Sequence, residues 1–292
     1  MADITLVKDL RARTNAGFAD CKKALEATNW DIEAAVEWLR ENGIAKAAKK
    51  AGRVAAEGLV QIAGDSKNAV IIELNSETDF VAKNEQFVTL LSDIAQAVWK
   101  SNASTQEEAL AAKLENGETV EAATASATAT IGEKISFRRF VRVMANDNEV
   151  LGLYRHINGL VASIVKISGS NEEAAKGVAM HLTAMNPEFI LTSDISAERM
   201  DSIKSGFEKP ANFDAKPEKI QQTIVEGWLN KQLSEIVLEK QAYILDDALS
   251  VEKYLNNNNS KLLEAVRYEV GEGIEKVVSN FAEEVMSFVD KA

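Results

Sequence analysis

Apolar positions at the start of the chain recur at helical spacing, and residues 3–43 read as three short helices. Ile4, Leu6, Val7 and Leu10 form one stripe, the turn at residues 15–17 breaks it, and Cys21, Ala24 and Leu25 resume it on a second helix. Asp31 stands as N-cap to a third, DIEAAVEWLREN, in which Ile32, Ala35, Val36 and Leu39 share a face and Gly43 is placed to end the helix. About forty residues bury little surface, so such a module is suited to docking onto something else. Residues 44–53, IAKAAKKAGR, then carry Lys46, Lys49, Lys50 and Arg53 among alanines. Two readings stand, a solvated helical linker or a basic helix for an acidic partner, and the acidic balance of the chain favours the linker.

From Gly58 the period changes from helical to alternating. GLVQIAG and NAVIIEL are β-rich runs around a hairpin signal at residues 65–68, and NEQFVTLLSDIAQAV returns to helical spacing. The same order recurs later: EVLGLYRHI and LVASIVKIS flank Asn158 and Gly159, and the helix NEEAAKGVAMHLTAM follows. Two copies of strand, turn, strand, helix predict a duplicated α+β core. The copies differ in one place. The second passes from strand to helix through SGS, whereas the first inserts about six further residues, most of ETDFVAK, before a helix that starts near Asn84. A segment that one copy lacks is not needed to build the fold, and added loop length on a rigid scaffold is where binding function tends to sit. Phe80 within it either covers the end of the core hairpin or meets another molecule.

Between the copies, Ser104 and Glu107 form a candidate capping box for a helix through Leu114, and a second helix covers the Ala/Thr-rich stretch from Val120. The strand ISFRRFVRVMA alternates Phe137, Arg139, Val141 and Val143 against Arg138, Phe140 and Arg142, and the arginines read as a solvated or partner-facing side. Residues 197–245 change character again: AERMDSIKSGF, a break bounded by Pro210 and Pro217, then EKIQQTIVEGWLNKQLSEIVLEKQ with Ile220, Ile224, Trp228, Leu229, Leu233, Ile236 and Val237 at helical spacing. These predict a helical hairpin arm, either a homodimer contact or an intramolecular buttress. A helix over residues 251–256, an asparagine-rich turn, the strand LLEAVRYEV and a closing helix over residues 274–289 complete the chain.

Composition narrows the function. With 292 residues, 46% hydrophobic and 27% charged, the chain has room for about two domains, and a formal net charge of -12 speaks against a broad phosphate-binding surface and so against nucleic acid as main partner. A single cysteine, Cys21, rules out an intramolecular disulfide and, with only His156 and His181, the usual Cys/His zinc sets. The N-terminus lacks the continuous apolar core of a signal peptide or an Arg-rich leader, and no run approaches a membrane span, so a cytoplasmic protein is expected. VGEGIEK has neither a P-loop ending nor full dinucleotide-loop spacing and reads as a strand-to-helix turn. His181 sits on an apolar helix and reads as a core or helix-surface residue, and His156 ends a strand next to a tight turn, which reads as an exposed, interfacial position with no nucleophile to serve. No spacing singles out an acid/base pair among 45 carboxylates, so catalytic residues and cofactors are expected to be none.

At several separated places, in order, the chain resembles the bacterial elongation factor Ts family, the guanine-nucleotide exchange factors for elongation factor Tu. VKDLRARTNAGFADCKKAL, TDFVAKN, AMHLTAMNPEFI and VRYEVGEGIEKV carry the resemblance, which spans essentially the whole length. It implies an α+β protein: a ubiquitin-associated-like three-helix module (1–54), a first core half with the inserted loop (55–145), a second core half (146–196), the helical hairpin arm (197–245) and a C-terminal strand and helix (246–292). It also implies that Thr78, Asp79, Phe80 and Val81 form a loop that reaches the partner's nucleotide site near its magnesium ion, the aromatic wedged into a pocket. Arg11, Phe18, His156 and Ile274 are implied as further contacts with elongation factor Tu. Three positions depart from the family's usual pattern: Asn15 and Ala19 in the opening signature, and Ser76 before the loop. Ala19 puts part of the N-terminal contact in question. A different class, a binding module that uses the N-terminal bundle alone, stays open on the residues by themselves, whereas no convergent set supports an enzyme acting on a small molecule.

Overall fold

The first three helices pack through small and branched side chains at the predicted spacing. The computed structural model describes residues 4–14 and 16–275, with Ile44 given by its backbone alone. In it α1 (Ile4–Thr14), α2 (Phe18–Ala27) and α3 (Ile32–Lys50) bury Val7, Leu10, Cys21, Ala24, Leu25 and Ala35 together. Asp31 caps α3 by accepting the Ala34 N–H at 2.9 Å. Gly43 does not end that helix, and residues 44–53 are for the most part its continuation rather than a separate linker. α3 runs on to Lys50 because the glycine lies against α7 (Val120–Ile131), where a Cβ would stand 3.6 Å from the Ala129 Cβ. Lys46 pairs with Asp20 at 2.9 Å and the Lys50 ammonium donates to the Gly132 carbonyl, so these two basic side chains of the helix are engaged within the fold.

β1 (Glu57–Gly64) and β2 (Asn68–Ser76) form the expected hairpin, its turn held by the Asp65 carboxylate, which accepts the Lys67 and Asn68 N–H groups at 2.8 and 3.0 Å. β3 (Ser136–Met144) completes a sheet of order β1-β2-β3. α5 (Glu85–Lys100) follows the hairpin, N-capped by Asn84, and buries Phe87, Leu91, Ile94 and Val98. The capping box of α6 (Gln106–Ala111) is Thr105 with Glu108, one residue later than the sequence predicts, and the helix stops short of Leu114, whose N–H turns back to the Glu118 carbonyl at 2.9 Å. The arginines of β3 are half-buried and committed to partners within the fold. Arg138 and Arg139 both bind Glu73, and Arg142 donates to the Asn68 side chain at 2.8 Å.

Among the described residues the chain divides into two compact units, residues up to 60, 72–140 and 269–275 in one, residues 61–71 and 141–268 in the other. In the second unit β4 (Glu149–Arg155) and β5 (Val161–Ser168) pair antiparallel from Glu149 opposite Ser168 to Arg155 opposite Ala162. α8 (Glu172–Met185) lies so close to β4 that a Cβ on Gly152 would fall 2.0 Å from the Ala175 carbonyl carbon. The arm is α9 (Ala197–Ser205) and α10 (Glu218–Ile236), joined through an aromatic cluster of Phe207, Phe213 and Trp228 with ring centroids 5.5 and 5.3 Å from Phe207. α10 ends at Ile236, before the last residues of the predicted run, and a short hairpin that the sequence pattern does not announce follows: β6 (Ala242–Tyr243) and β7 (Asp246–Ser250). After α11 (Val251–Asn257), β8 (Leu262–Glu269) joins β5, giving the order β4-β5-β8. Each hairpin therefore gains a third strand from later in the chain.

His181 belongs to the core of this unit. Its Nδ1 accepts the Ile244 N–H at 3.1 Å, which leaves Nε2–H to donate to the Gln241 side chain at 3.0 Å. Burial pushes its pKa below the ordinary histidine value. The closing helix expected from Ile274 does not begin there, because the Ile274 N–H closes a turn onto the Gly271 carbonyl at 2.9 Å. The rest of that helix, like Asn15, lies outside the described residues.

Candidate partner-binding loop

The inserted stretch is not an irregular loop. It contains a single helical turn, α4 (Asp79–Ala82), N-capped by Thr78, whose hydroxyl accepts the Val81 N–H at 3.4 Å. Successive helical residues advance about 100° around the axis, so side chains two apart point nearly opposite ways. Ala82 is buried, and Phe80, two residues earlier, is turned outward and 81% exposed. Phe80 is the most exposed aromatic among the large hydrophobic side chains of the described residues. Leaving a phenylalanine in water forgoes about 1.5–3 kcal/mol of burial, so this residue does not serve as a cover for the core hairpin. Asp79 is also exposed, and the Lys83 ammonium, 2.7 Å away, holds its carboxyl below the usual carboxylate range.

Two carboxylates fix the turn to the body of the first unit. Glu133 accepts the Thr78 N–H at 2.9 Å and the Thr78 hydroxyl at 2.8 Å. In the reverse direction Glu77 accepts the Lys134 N–H at 2.6 Å and Arg53 Nη1 at 3.2 Å. The buried Ser76 donates its hydroxyl to the Thr78 carbonyl at 2.9 Å, so the serine at the departing position has a structural use of its own. No sequence signal announces these partners, because Thr78 and Glu133 are 55 residues apart.

The other implied contacts fall on separate elements. Arg11 is exposed in the last turn of α1, and Phe18, 49% exposed, opens α2 beside the exposed Ala19. His156 is half-buried just past β4, next to Ile157, which is 94% exposed at the tip of the second hairpin. Ile274 is half-buried in the turn after β8. That turn is anchored on Glu73, a fully buried carboxylate that receives Arg138 Nη1 at 2.8 Å, Arg139 Nε at 2.6 Å and the Gly271 N–H at 2.8 Å. Gly271 has φ 74°, and a Cβ there would meet the Ala56 carbonyl oxygen at 2.3 Å. Burial alone pushes the Glu73 carboxyl up, but the Gly271 N–H and the two guanidinium groups outweigh it and hold the group below its ordinary value. Among the described residues no group of three or more His, Cys, Asp or Glu side chains is placed to hold a metal ion, and no helix is long and apolar enough to cross a membrane.

Comparison with known proteins agrees with the motifs. Residues 77–272 match the family model described as elongation factor TS, and residues 19–39 match the UBA/TS-N domain. The chain is 57% identical to an elongation factor Ts of Mycoplasmopsis synoviae, with 97% of each chain covered. It is 51% identical to one of Mycoplasmopsis pulmonis, covering 98% of this chain and 97% of the relative, and 50% identical to one of Acholeplasma laidlawii, covering 98% of each. A family model over most of the chain and relatives at half identity or more along almost its full length make this chain a member of the elongation factor Ts family.

Proposed function

We propose that this chain binds elongation factor Tu in its GDP form and accelerates GDP release, so that GTP rebinds, by driving the Thr78–Val81 turn against the partner's nucleotide and magnesium site. Family membership supports the coarser part, a translation elongation factor and nucleotide-exchange partner of elongation factor Tu. The observation that carries the finer part is Phe80, 81% exposed at the outer side of a capped and anchored turn. Asp79 stands beside it, and Val81 is half-buried at its base. Arg11 and Phe18 on the N-terminal module, and Ile274 ahead of the C-terminal segment, are taken as contacts that hold the same partner, with His156 and the second hairpin meeting a different part of it.

The mechanism is linkage. When the factor and the nucleotide each bind the GTPase but weaken one another, the coupling free energy is reciprocal: docking loosens GDP, and GTP later releases the factor. Phe80 contributes by burying itself only in the arrangement of the partner that holds magnesium and phosphate poorly, at about 1.5–3 kcal/mol. The division into module (1–54), core halves (55–145 and 146–196), arm (197–245) and C-terminal strand and helix (246–292) is our proposal for how the contacts are shared out, and the arm is the segment to which we assign any contact between two copies.

Release of fluorescent GDP from elongation factor Tu, mixed with the chain in a stopped-flow instrument, tests the reading: acceleration that saturates with the chain's concentration is expected, and none would remove it. Replacing Arg11 and Phe18 together by alanine separates it from a binding module built on the bundle alone, since weakened exchange with residual activity is expected here and loss of partner binding there.

A further inference from the structure

The turn that carries Phe80 is joined to two distant segments through a closed set of hydrogen bonds. α7 is C-capped by Gly132, in the left-handed conformation with φ 91°, and the Gly132 carbonyl is held by Lys50 at the end of α3. Glu133 follows directly and takes both the N–H and the hydroxyl of Thr78. Lys134 gives its N–H to Glu77 and its ammonium to the Ala51 and Arg53 carbonyls at 2.7 and 2.9 Å, and Arg53 returns to Glu77. Residues 50–53, 77–78 and 132–134 thus hold one another in pairs.

The Thr78 hydroxyl has one proton. With that proton committed to the Glu133 carboxylate, a lone pair is left facing the Val81 N–H, which is the cap of α4. A hydrogen bond to an ionised acceptor is also stronger than one between neutral groups. The direction of the cap, and through it the outward setting of Phe80, therefore depends on a carboxylate that belongs to another segment.

We infer that Glu133 is a positioning residue for exchange: it sets the Thr78 cap and thereby holds Phe80 extended before the partner arrives, so that formation of the wedged state within the docked complex does not bear the cost of ordering the turn. The inference rests on the exchange reading above. Pre-ordering of this kind lowers the barrier to a wedged state without adding a contact to the partner.

The test uses the full chain carrying Glu133→Ala, Glu133→Gln or Thr78→Val. In the free protein, amide hydrogen exchange at residues 81–84 is expected to quicken about tenfold in Glu133→Ala, the scale on which one charge-assisted hydrogen bond acts, with the amides of β2 and α5 unchanged. Glu133→Gln, which keeps one acceptor oxygen, falls between this and the unsubstituted chain. Thr78→Val, which removes the capping hydroxyl itself, sets the full size of the local signature, and Glu133→Gln supplies the test of Glu133 should the Glu133→Ala chain fail to fold. In GDP release from elongation factor Tu, the maximal rate is expected to fall about tenfold in Glu133→Ala while the half-saturating concentration stays within about twofold. Unchanged amide exchange at residues 81–84 overturns the inference, as does an unchanged maximal rate in a variant whose turn has loosened. A chain whose Phe80→Ala variant is slow but whose Glu133→Ala variant is not keeps the exchange reading and loses this one. Should the unsubstituted chain fail to accelerate release, the exchange reading falls, and the positioning of Phe80 for exchange falls with it.

Discussion

Replacing Glu73 by glutamine preserves the shape of a buried side chain and removes its charge. In the native chain this carboxylate receives Arg138 Nη1 at 2.8 Å, Arg139 Nε at 2.6 Å, the Gly271 N–H at 2.8 Å and the Asn75 side-chain amide at 3.1 Å. Glutamine offers one acceptor oxygen to these donors and sets an N–H group against the rest. Breaking a buried ion pair from one side costs about 3–5 kcal/mol. The two guanidinium groups retain 24% and 29% of their side-chain exposure, so water reaches them after the loss, and the lower end, about 3 kcal/mol, is expected. For a chain of this size 1 kcal/mol moves Tm by about 2–4 °C, giving a fall of about 6–12 °C. Urea denaturation of the two proteins, followed by amide exchange in β2 and β3, measures the change in the unit concerned. The sign with pH is set by the depressed carboxyl: its stabilisation is present above its ordinary value of 4.5 and is lost as pH falls through the lower folded value, a dependence the variant lacks. A loss below about 1 kcal/mol, the range of exposed pairs, would refute the assignment of Glu73 as the anchor of residues 269–275.

Three further outcomes are expected. Gly152→Ala places a Cβ 2.0 Å from the α8 backbone, and overpacking of this kind is expected to cost about 3 kcal/mol or more in chemical denaturation. His181 has its folded pKa depressed by burial, so its neutral form contributes stability that is complete above pH 6.5 and is lost as pH falls through the folded value; the slope of unfolding free energy against pH in that window is expected to flatten in His181→Gln. Trp228→Ala removes the edge contact with Phe207 at 5.3 Å and is expected to raise amide exchange in α9 and α10 while leaving β4 and β5 protected.

How much of this was legible in the sequence follows from the range of the interactions. The hairpins, α5 with its start near Asn84, α8 and the cap at Asp31 rest on neighbours within a few residues, and periodicity and turn chemistry report such neighbours directly. The comparison of the two copies also marked the insertion that holds Phe80. What failed rests on distant partners. Gly43 reads as a helix stop until α7 is seen against it, and Arg138 and Arg139 read as a polar face until Glu73, 65 and 66 residues earlier, is seen beneath them. The β6–β7 hairpin was missed because its strands are short and carry Asp246 and Asp247 in place of an alternating apolar pattern. At the site, the inserted aromatic was visible in the sequence but its exposure was not, and the carboxylates that hold the turn were two among 45.

The central claim is that Phe80 acts on the nucleotide site of elongation factor Tu more than on the strength of docking. Stopped-flow release of fluorescent GDP across a range of concentrations of the native chain and of Phe80→Ala separates the two, because the plateau reports the rate within the complex and the half-saturating concentration reports docking. Loss of about 1.5–3 kcal/mol of burial realised only in the loosened state predicts a plateau lower by roughly 10- to 150-fold, with the half-saturating concentration little changed. An unchanged plateau with a raised half-saturating concentration would make Phe80 an ordinary docking contact and contradict the account.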